Sequence, residues 1–449
     1  MVDRQGRDAF PWIAAFVYAV LFTVLGALRY AVHRNFVDFG IFAQTAAGAF
    51  GCFCNQIEGS HWAFHFSPIL YVAGALVRLW RSPLALVTLQ AVGGALVIPP
   101  IYGLVARRAQ RPTARLAALV VALYPALAGL TFNDFHENGL APAAVAWMLW
   151  AFDGGWMRAT YVFAALALSI KEDQAVFLMI AGALGAWRFR GTAPGRTALV
   201  IALAGASLLY GYFGLIQPHA AANQHWSPTR FYAWTPDDLH ALPLQLLVRA
   251  GFLVLAFAPL LFLPFRSRMM WLAAAPLAEV LLSRMSTTYT LGSHYAGAWI
   301  GYALVAFAFT VRREAPPRAN RLLVYCLAVC ALELAIANPM HPGMNLRPVE
   351  ARDVALDRFL ATLPAGMPVA TQEEAYTHLA LTHPYAGLLP IDPEVKPDAC
   401  YVLVDVAYPA SVVLIEYGQP FQALVRAGGY RPVRNDGTIT LYRAPRCAP

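Results

Sequence analysis

The sequence predicts a mainly α, polytopic membrane helix bundle followed by a small α/β domain. The chain is 59% hydrophobic and only 13% charged, with a mean hydropathy of +0.52, a composition that suits a multipass membrane protein rather than a soluble enzyme. Its apolar residues come in long runs separated by short loops bearing arginine. After residue 337 the pattern changes to turn residues and short alternating stretches, so the expected division is 1–337 for the bundle and 338–449 for the second domain. The net charge of +8 does not point to nucleic acid, because arginines between apolar runs are what topology determinants look like.

Taken in order, apolar runs near 12–32, 84–106, 114–132, 139–152, 159–170, 174–187, 197–216, 248–265, 270–283, 295–311 and 320–337 read as about 11 transmembrane helices. The first has no small-residue cleavage site after it and reads as a retained helix. Runs 139–152, 159–170 and 174–187 fall short of the roughly 20 residues a straight span needs, so they extend into polar flanks or are broken within the bundle. Ser67–Trp80 is closed early by Arg78 and Arg81 and reads as a helix lying at the membrane surface. Beyond it all, Asn338-Pro339-Met340-His341-Pro342-Gly343 reads as a linker. A helix over 350–363, a strand over 368–371, a helix over 373–381 and a strand over 400–406 follow. A hairpin then pairs 430–433 with 438–442 around Asn435-Asp436-Gly437.

Arginine placement orients the bundle. With Arg4 and Arg7 in the cytoplasm and Ser67–Trp80 not spanning, the cytoplasmic loops hold Arg107, Arg108, Arg111, Arg115, Arg158, Arg188, Arg190, Arg196, Arg266, Arg268, Arg312, Arg313 and Arg318. The same topology puts Asp38, His65, Asp134, His136, Lys171, Glu172, Asp173, His294 and the C-terminal domain on the outer face. None of those residues was used to set the orientation. Cys400 and Cys447 can pair if that domain is extracytoplasmic, although spacing does not fix connectivity. Cys326 and Cys330, one turn apart in an apolar run, read as packing residues. Cys52 and Cys54 lack partners at zinc spacing.

Ionisable residues at membrane depth cost roughly 2.5–3.5 kcal/mol each, so clusters of them mark a cavity with work to do. Asp38 follows the first helix closely, where a carboxylate can act as general base or simply cap a helix. Asp134 and His136, two apart, can bind a divalent cation such as Mg2+ or Mn2+, or serve as an acidic helix start. Lys171-Glu172-Asp173 interrupts a long apolar stretch, and Lys171 is the one lysine outside the tail, where Lys396 is the other. A lysine amid so many arginines suggests a point charge for a phosphate. His65, ahead of a proline-started helix, could contact phosphate or sugar, with Glu58 alongside. Arg284, His294 and Tyr295 bracket an outer loop, where Arg284 either pairs with a lipid phosphate or snorkels to the interface.

The succession Asp38-Phe39-Gly40-Ile41-Phe42, Ile57-Glu58-Gly59, His65-Phe66-Ser67-Pro68-Ile69-Leu70, Asp134-Phe135-His136 and Lys171-Glu172-Asp173 resembles a bacterial family of multipass membrane proteins related to the GT-C glycosyltransferases. It covers roughly residues 30–310 and, more weakly, the soluble tail. More distantly, the order of Asp38, the His65–Leu70 segment, the Arg107–Arg115 turn and Asp134 is similar to protein mannosyltransferases and aminoarabinose transferases. In those an acid follows the first helix, then a His-x-Pro-Pro-Leu surface helix, an arginine-rich turn and a second outer acid. His65 stands one residue further from the proline here, and Ser67 replaces the first proline, so Asp38 carries over better than His65.

The resemblance implies a GT-C-like transmembrane domain in the bacterial inner membrane. The donor would be a polyprenyl-phosphate sugar within the membrane lipid, and the acceptor a cell-envelope glycan, lipid or protein. Asp38 would deprotonate the acceptor hydroxyl and invert the anomeric centre. Lys171 and Arg284, or a divalent ion at Asp134 and His136, would meet the departing phosphate. Glu172 and Asp173 would orient Lys171 or bind sugar hydroxyls. A lipid or solute transporter is the competing class, but its site should lie nearer the membrane midplane.

Overall fold

The computed structural model describes residues 8–220, 229–340, 347–389, 399–408 and 429–447. Arg4, Arg7, Lys396 and the His341–Gly343 part of the linker lie outside the described residues. The longer helices are α1 (Phe10–Ala31), α2 (Val37–Ala47), α3 (Leu70–Leu79), α4 (Leu84–Ala106), α5 (Arg111–Ala122), α6 (Pro125–Phe132), α7 (Ala141–Asp153) and α8 (Met157–Leu168). They continue as α9 (Glu172–Arg188), α10 (Ala193–Gly211), α11 (Leu242–Phe257), α12 (Ala274–Leu282), α13 (Ile300–Val311), α14 (Pro316–Ile336), α15 (Ala351–Leu360) and α16 (Glu373–Leu379).

Helical structure occurs at every apolar run, but length separates the helices. Five stretches, Phe10–Ala31, Leu84–Ala106, Ala193–Ala220, Leu242–Leu260 and Pro316–Ile336, are long and apolar enough to cross a membrane. A sixth is added if α5 and α6 form one span bent by 47°. Pro125 causes that bend, since it cannot donate the helical hydrogen bond and its predecessor Tyr124 is extended. The run expected over 248–265 ends at Phe257 for a related reason: Pro259 intervenes, and Leu261 and Phe262 take left-handed φ values of 50° and 52°. Helix α3 has 10 residues, about 15 Å of rise, too short for a hydrocarbon core of about 30 Å.

Two compact units emerge. The first holds described residues 8–24, 62–69 and 88–340. Its centre is α13, every residue of which is buried. Small residues let its neighbours close in: a Cβ added at Gly301 would press on the Pro142 backbone of α7. Asp153, closing α7, accepts from Arg107 at 2.6 Å and from Arg312 at 2.8 and 2.9 Å, tying the ends of α4, α7 and α13 together.

The second unit holds described residues 25–61, 70–87 and those from 347 onward. Besides a short pair, Cys54–Asn55 with Gly59–Ser60, it carries a five-stranded sheet of β1 (Val369–Thr371), β2 (Ala386–Leu388), β3 (Tyr401–Asp405), β4 (Arg431–Asp436) and β5 (Ile439–Arg443). They lie in the order β2-β1-β3-β5-β4. The first three are mutually parallel, and β5 runs antiparallel to β3 with Val402 opposite Tyr442. The β4–β5 hairpin turns at Gly437, whose φ of +61° is one that favours glycine. Leu356 and Phe359 of α15 and Tyr376 of α16 pack on Val369, Leu403 and Leu441 of the sheet.

Helix α2 docks into this second unit through Gly40, where any Cβ would strike the Tyr376 ring. The Gln44 amide fixes the contact. Its nitrogen donates to the Ala386 carbonyl at 2.9 Å, and its oxygen accepts from Gln56 N–H at 2.8 Å. Disulfides join Cys400 to Cys447 and Cys52 to Cys54. The first is the pairing left open by spacing, and the second was not anticipated.

Candidate functional site

Within the first unit, the loops that start α7 and α9 bring five of the sequence-chosen residues together. Helix α6 ends at Phe132, and the chain runs extended through His136 before a single 3-10 turn, Glu137–Leu140, leads into α7. Gln90 of α4 supports this crossover by donating to the Leu130 carbonyl at 2.9 Å. The Asn133 amide fastens it to Gly292 at 3.0 Å. Gly297 packs so closely on Asn138 that a Cβ there would overlap its carbonyl. The close approach brings the His294 segment against the crossover, and the His136 and His294 rings stack at 3.8 Å with planes 8° apart.

Glu137 is the hub. Its carboxylate is fully buried, 2.8 Å from His136 Nδ1 and 3.4 Å from Lys171 Nζ. Burial by itself pushes the Glu137 carboxyl up, but the His136 and Lys171 side chains beside it outweigh that and hold it well below the usual carboxylate range. Lys171 is extended at the N-cap of α9, an arrangement that leaves its side chain free of the helix and directed to Glu137. One residue on, Glu172 takes His65 Nδ1 at 2.8 Å on one oxygen and the Phe66 N–H at 2.9 Å on the other. Two carboxylate–imidazole pairs and an ammonium thus share one buried neighbourhood. Glu172 orients the His65 imidazole by its hydrogen bond, Glu137 faces His136 and Lys171 at ion-pair distance, and the lysine brings a positive charge to the site.

The other expected residues fall around this cluster or apart from it. Asp173 accepts from the Gln174 amide at 3.3 Å. The Tyr295 ring lies 4.1 Å from that of His294. Asp134 is buried at the crossover, with its backbone carbonyl 3.4 Å from the Gln90 amide. Among the described residues Asp134 joins no group of three metal-capable side chains. Arg284 donates to Asp238 at 2.9 Å and is about a third exposed.

Asp38 and Glu58 belong to the second unit. Asp38 stands half-buried in the first turn of α2. Glu58 accepts from the Asn55 amide at 3.0 Å and lies 3.3 Å from His61, holding the loop between two short strands.

Two acids escaped the sequence reasoning. Glu137 directly follows Asp134-Phe135-His136 in the sequence, but nothing in the sequence says that its partner is Lys171. Glu279, in the apolar helix α12, interacts electrostatically with Asp173 and Lys171. An acid inside an apolar run was the signal available for it.

Helix directions separate this cluster from the arginines. Helix α7 begins beside Glu137 and ends at Asp153, which Arg107 and Arg312 grip; α13 follows the His294 segment and ends at Arg312. The polar cluster and the arginine cluster therefore occupy opposite ends of the same helices.

The arrangement defines a polytopic membrane protein with the GT-C fold. The crystal structure of ArnT from Cupriavidus metallidurans bound to undecaprenyl phosphate superposes with a TM-score of 0.55 at 13% identity, covering 97% of this chain and 98% of that one. Its apo state gives a TM-score of 0.52, also at 13% identity, over 96% and 98%. The chain belongs to the family described as predicted membrane protein (DUF2079), whose model matches residues 34–355. No curated protein sequence matches it.

Proposed function

We propose that the protein is an integral membrane glycosyltransferase that moves a sugar from a polyprenyl-phosphate donor to an extracytoplasmic acceptor with inversion. The observation that carries this reading is the buried Lys171–Glu137–His136 and His65–Glu172 cluster at one end of a GT-C helix bundle. A departing lipid phosphate gathers negative charge in the transition state, and a preorganised ammonium in a dry site stabilises it without reorganising. Lys171 fills that role, and Glu137 and Glu172 keep the ammonium and the imidazoles in place. The undecaprenyl phosphate bound to ArnT is the chemistry such a site accepts. Asp38 is the general base toward the acceptor hydroxyl.

The disulfide between Cys400 and Cys447 supports an extracytoplasmic second domain, since such bonds persist in oxidising compartments. By the positive-inside rule the arginine ends of α7 and α13 would face the cytoplasm. Placement of the polar cluster at a helix end, away from the middle of the bundle, weighs against a flippase.

The test is Asp38→Asn in the purified full chain with a polyprenyl-phosphate sugar. The substitution keeps shape and removes the proton acceptor. Turnover should fall by about 10²-fold or more, with donor binding retained. Transfer at the wild-type rate would reduce Asp38 to a cap and end the mechanism.

A further inference from the structure

A second histidine cluster lies wholly in the other unit and has no part in the proposed reaction. His33 follows α1 with a fully buried side chain and a left-handed φ of 54°. That conformation is sparsely populated for a non-glycine residue, so packing must hold it. His378 comes from α16 and Asp357 from α15. A single carboxylate oxygen, Asp357 Oδ1, lies 3.1 Å from His33 Nε2 and 3.0 Å from His378 Nδ1. The two rings stack at 3.8 Å with planes 17° apart.

Of the far nitrogens, only that of His378 is hydrogen-bonded among the described residues; His33 Nδ1 is buried without a hydrogen bond. His378 Nε2 is 3.0 Å from the Tyr30 carbonyl, and His33 Nδ1 is 3.6 Å from Asp353 Oδ1. Asp353 is itself fixed, accepting from Arg347 at 2.6 and 2.7 Å and from the Tyr408 hydroxyl at 3.0 Å.

Donor and acceptor counting makes this arrangement informative. A carbonyl only accepts, so His378 Nε2 carries the ring hydrogen. In the neutral ring Nδ1 is then a bare lone pair, aimed at a carboxylate oxygen 3.0 Å away. Two acceptors face each other there unless something positive stands between them. Protonating both rings would stack two like charges at 3.8 Å. A second proton on His378, or a cation between its Nδ1 and the carboxylate, removes that conflict, and the His33 nitrogen on the same oxygen completes a three-atom donor set for a cation.

We propose that His33, Asp357 and His378 bind a divalent transition metal, with zinc the best match to the donors. Two imidazole nitrogens and a carboxylate oxygen are zinc ligands, a water would complete a four-coordinate site, and the Asp357 side chain is half exposed. The three ligand atoms lie within 4.8 Å of one another. Tetrahedral zinc, with bonds of about 2.0–2.1 Å, needs ligand atoms about 3.3–3.4 Å apart, so the two nitrogen–oxygen distances of 3.1 and 3.0 Å would widen by a few tenths of an ångström and the rings would turn to aim both nitrogens at the ion. The Tyr30 carbonyl on His378 Nε2 is the kind of partner that orients a metal-bound histidine. Bound there, the ion pins the segment between α1 and α2, and with it the start of the helix that carries Asp38, to α15 and α16.

The full chain, purified in detergent and stripped with chelator, is titrated with Zn2+ and separately with Co2+. Wild type should take up one equivalent, gain thermal stability, and give the visible absorption bands of four-coordinate cobalt. H378Q and D357N should each weaken Zn2+ binding by at least about 10-fold, the loss seen even for outer partners of metal ligands. Asp357 is half exposed, so D357N keeps the test valid if changes at the buried histidines impair folding. Absence of uptake and of thermal response in wild type overturns the proposal, as does wild-type affinity in D357N. Neither readout involves sugar transfer, so the outcome is independent of the catalytic reading.

Discussion

The two units each contain histidines set against carboxylates, and one residue makes them chemically opposite. Around Glu137 the partners include Lys171, so the carboxylate charge is met by a fixed ammonium and the cluster can receive an anion. Around Asp357 there is no lysine or arginine contact among the described residues; two imidazoles converge on one oxygen, and the cluster calls for a cation. Burial differs in parallel. Glu137 is fully buried, whereas half of the Asp357 side chain meets solvent. On the two proposals, the same pair of residue types makes a phosphate site or a metal site according to what the third partner is.

The comparison breaks most readily at Glu137. Removing one partner of a buried charge pair strands the other, at a cost of roughly 3–5 kcal/mol. Glu137→Gln should destabilise the detergent-solubilised protein by about that much, read from its unfolding curve. Adding Lys171→Met should recover part of the loss, because no stranded ammonium remains. Asp357→Asn, measured in chelator, should cost under about 1 kcal/mol, as exposed ion pairs do. Equal losses at Glu137 and Asp357 would show that the two clusters are not electrostatically different.

Sulfur chemistry divides along the same line. Both disulfides lie in the second unit, and both free thiols, Cys326 and Cys330, are buried in the first. Replacing Cys400 and Cys447 by serine opens a loop of 47 residues and should cost the second unit about 2–4 kcal/mol. Faster proteolysis within the sheet region would report it, with the first unit's cleavage pattern unchanged. Alkylation of all six cysteines in the unreduced, denatured wild type would show that neither bridge forms.

Much of the fold was legible because it rests on local signals. The apolar runs, the prolines that open α5, α6, α7, α10, α11 and α14, and the Asn435-Asp436-Gly437 turn are all readable from neighbours in sequence. The strands β1, β3 and β5 fall where alternation placed them. Partner identity was not legible. Lys171 and Glu172 stood out as charges in an apolar stretch, yet their partners Glu137 and His65 lie 34 and 107 residues away. Asn338-Pro339-Met340 read as linker, but Pro339 packs on Gly129 and Gly292 in the first unit. Helix α2 gave no sign that Gly40 receives the Tyr376 ring, because a lone glycine in an apolar helix has many explanations. Long-range pairing is set by packing, which a single sequence does not print.

The smallest effect expected separates two cations that the sequence treated alike. Lys171 is nearly buried against a buried carboxylate, while Arg284 pairs with Asp238 at 2.9 Å on a side chain about a third exposed. Solvent screens the second pair, so Arg284→Gln should leave the unfolding curve within error of wild type. Its effect on function depends on whether the guanidinium leaves Asp238 for a lipid phosphate. If it does, the Michaelis constant for the donor should rise several-fold while the turnover number holds, the signature of lost uniform binding. Lys171→Met should instead raise the constant and lower turnover together, because an ammonium that meets the departing phosphate acts in the transition state as well. A turnover loss at Arg284 as large as that at Lys171 would move the leaving-group site away from Glu137, and with it the contrast between a buried anion site and an exposed cation site.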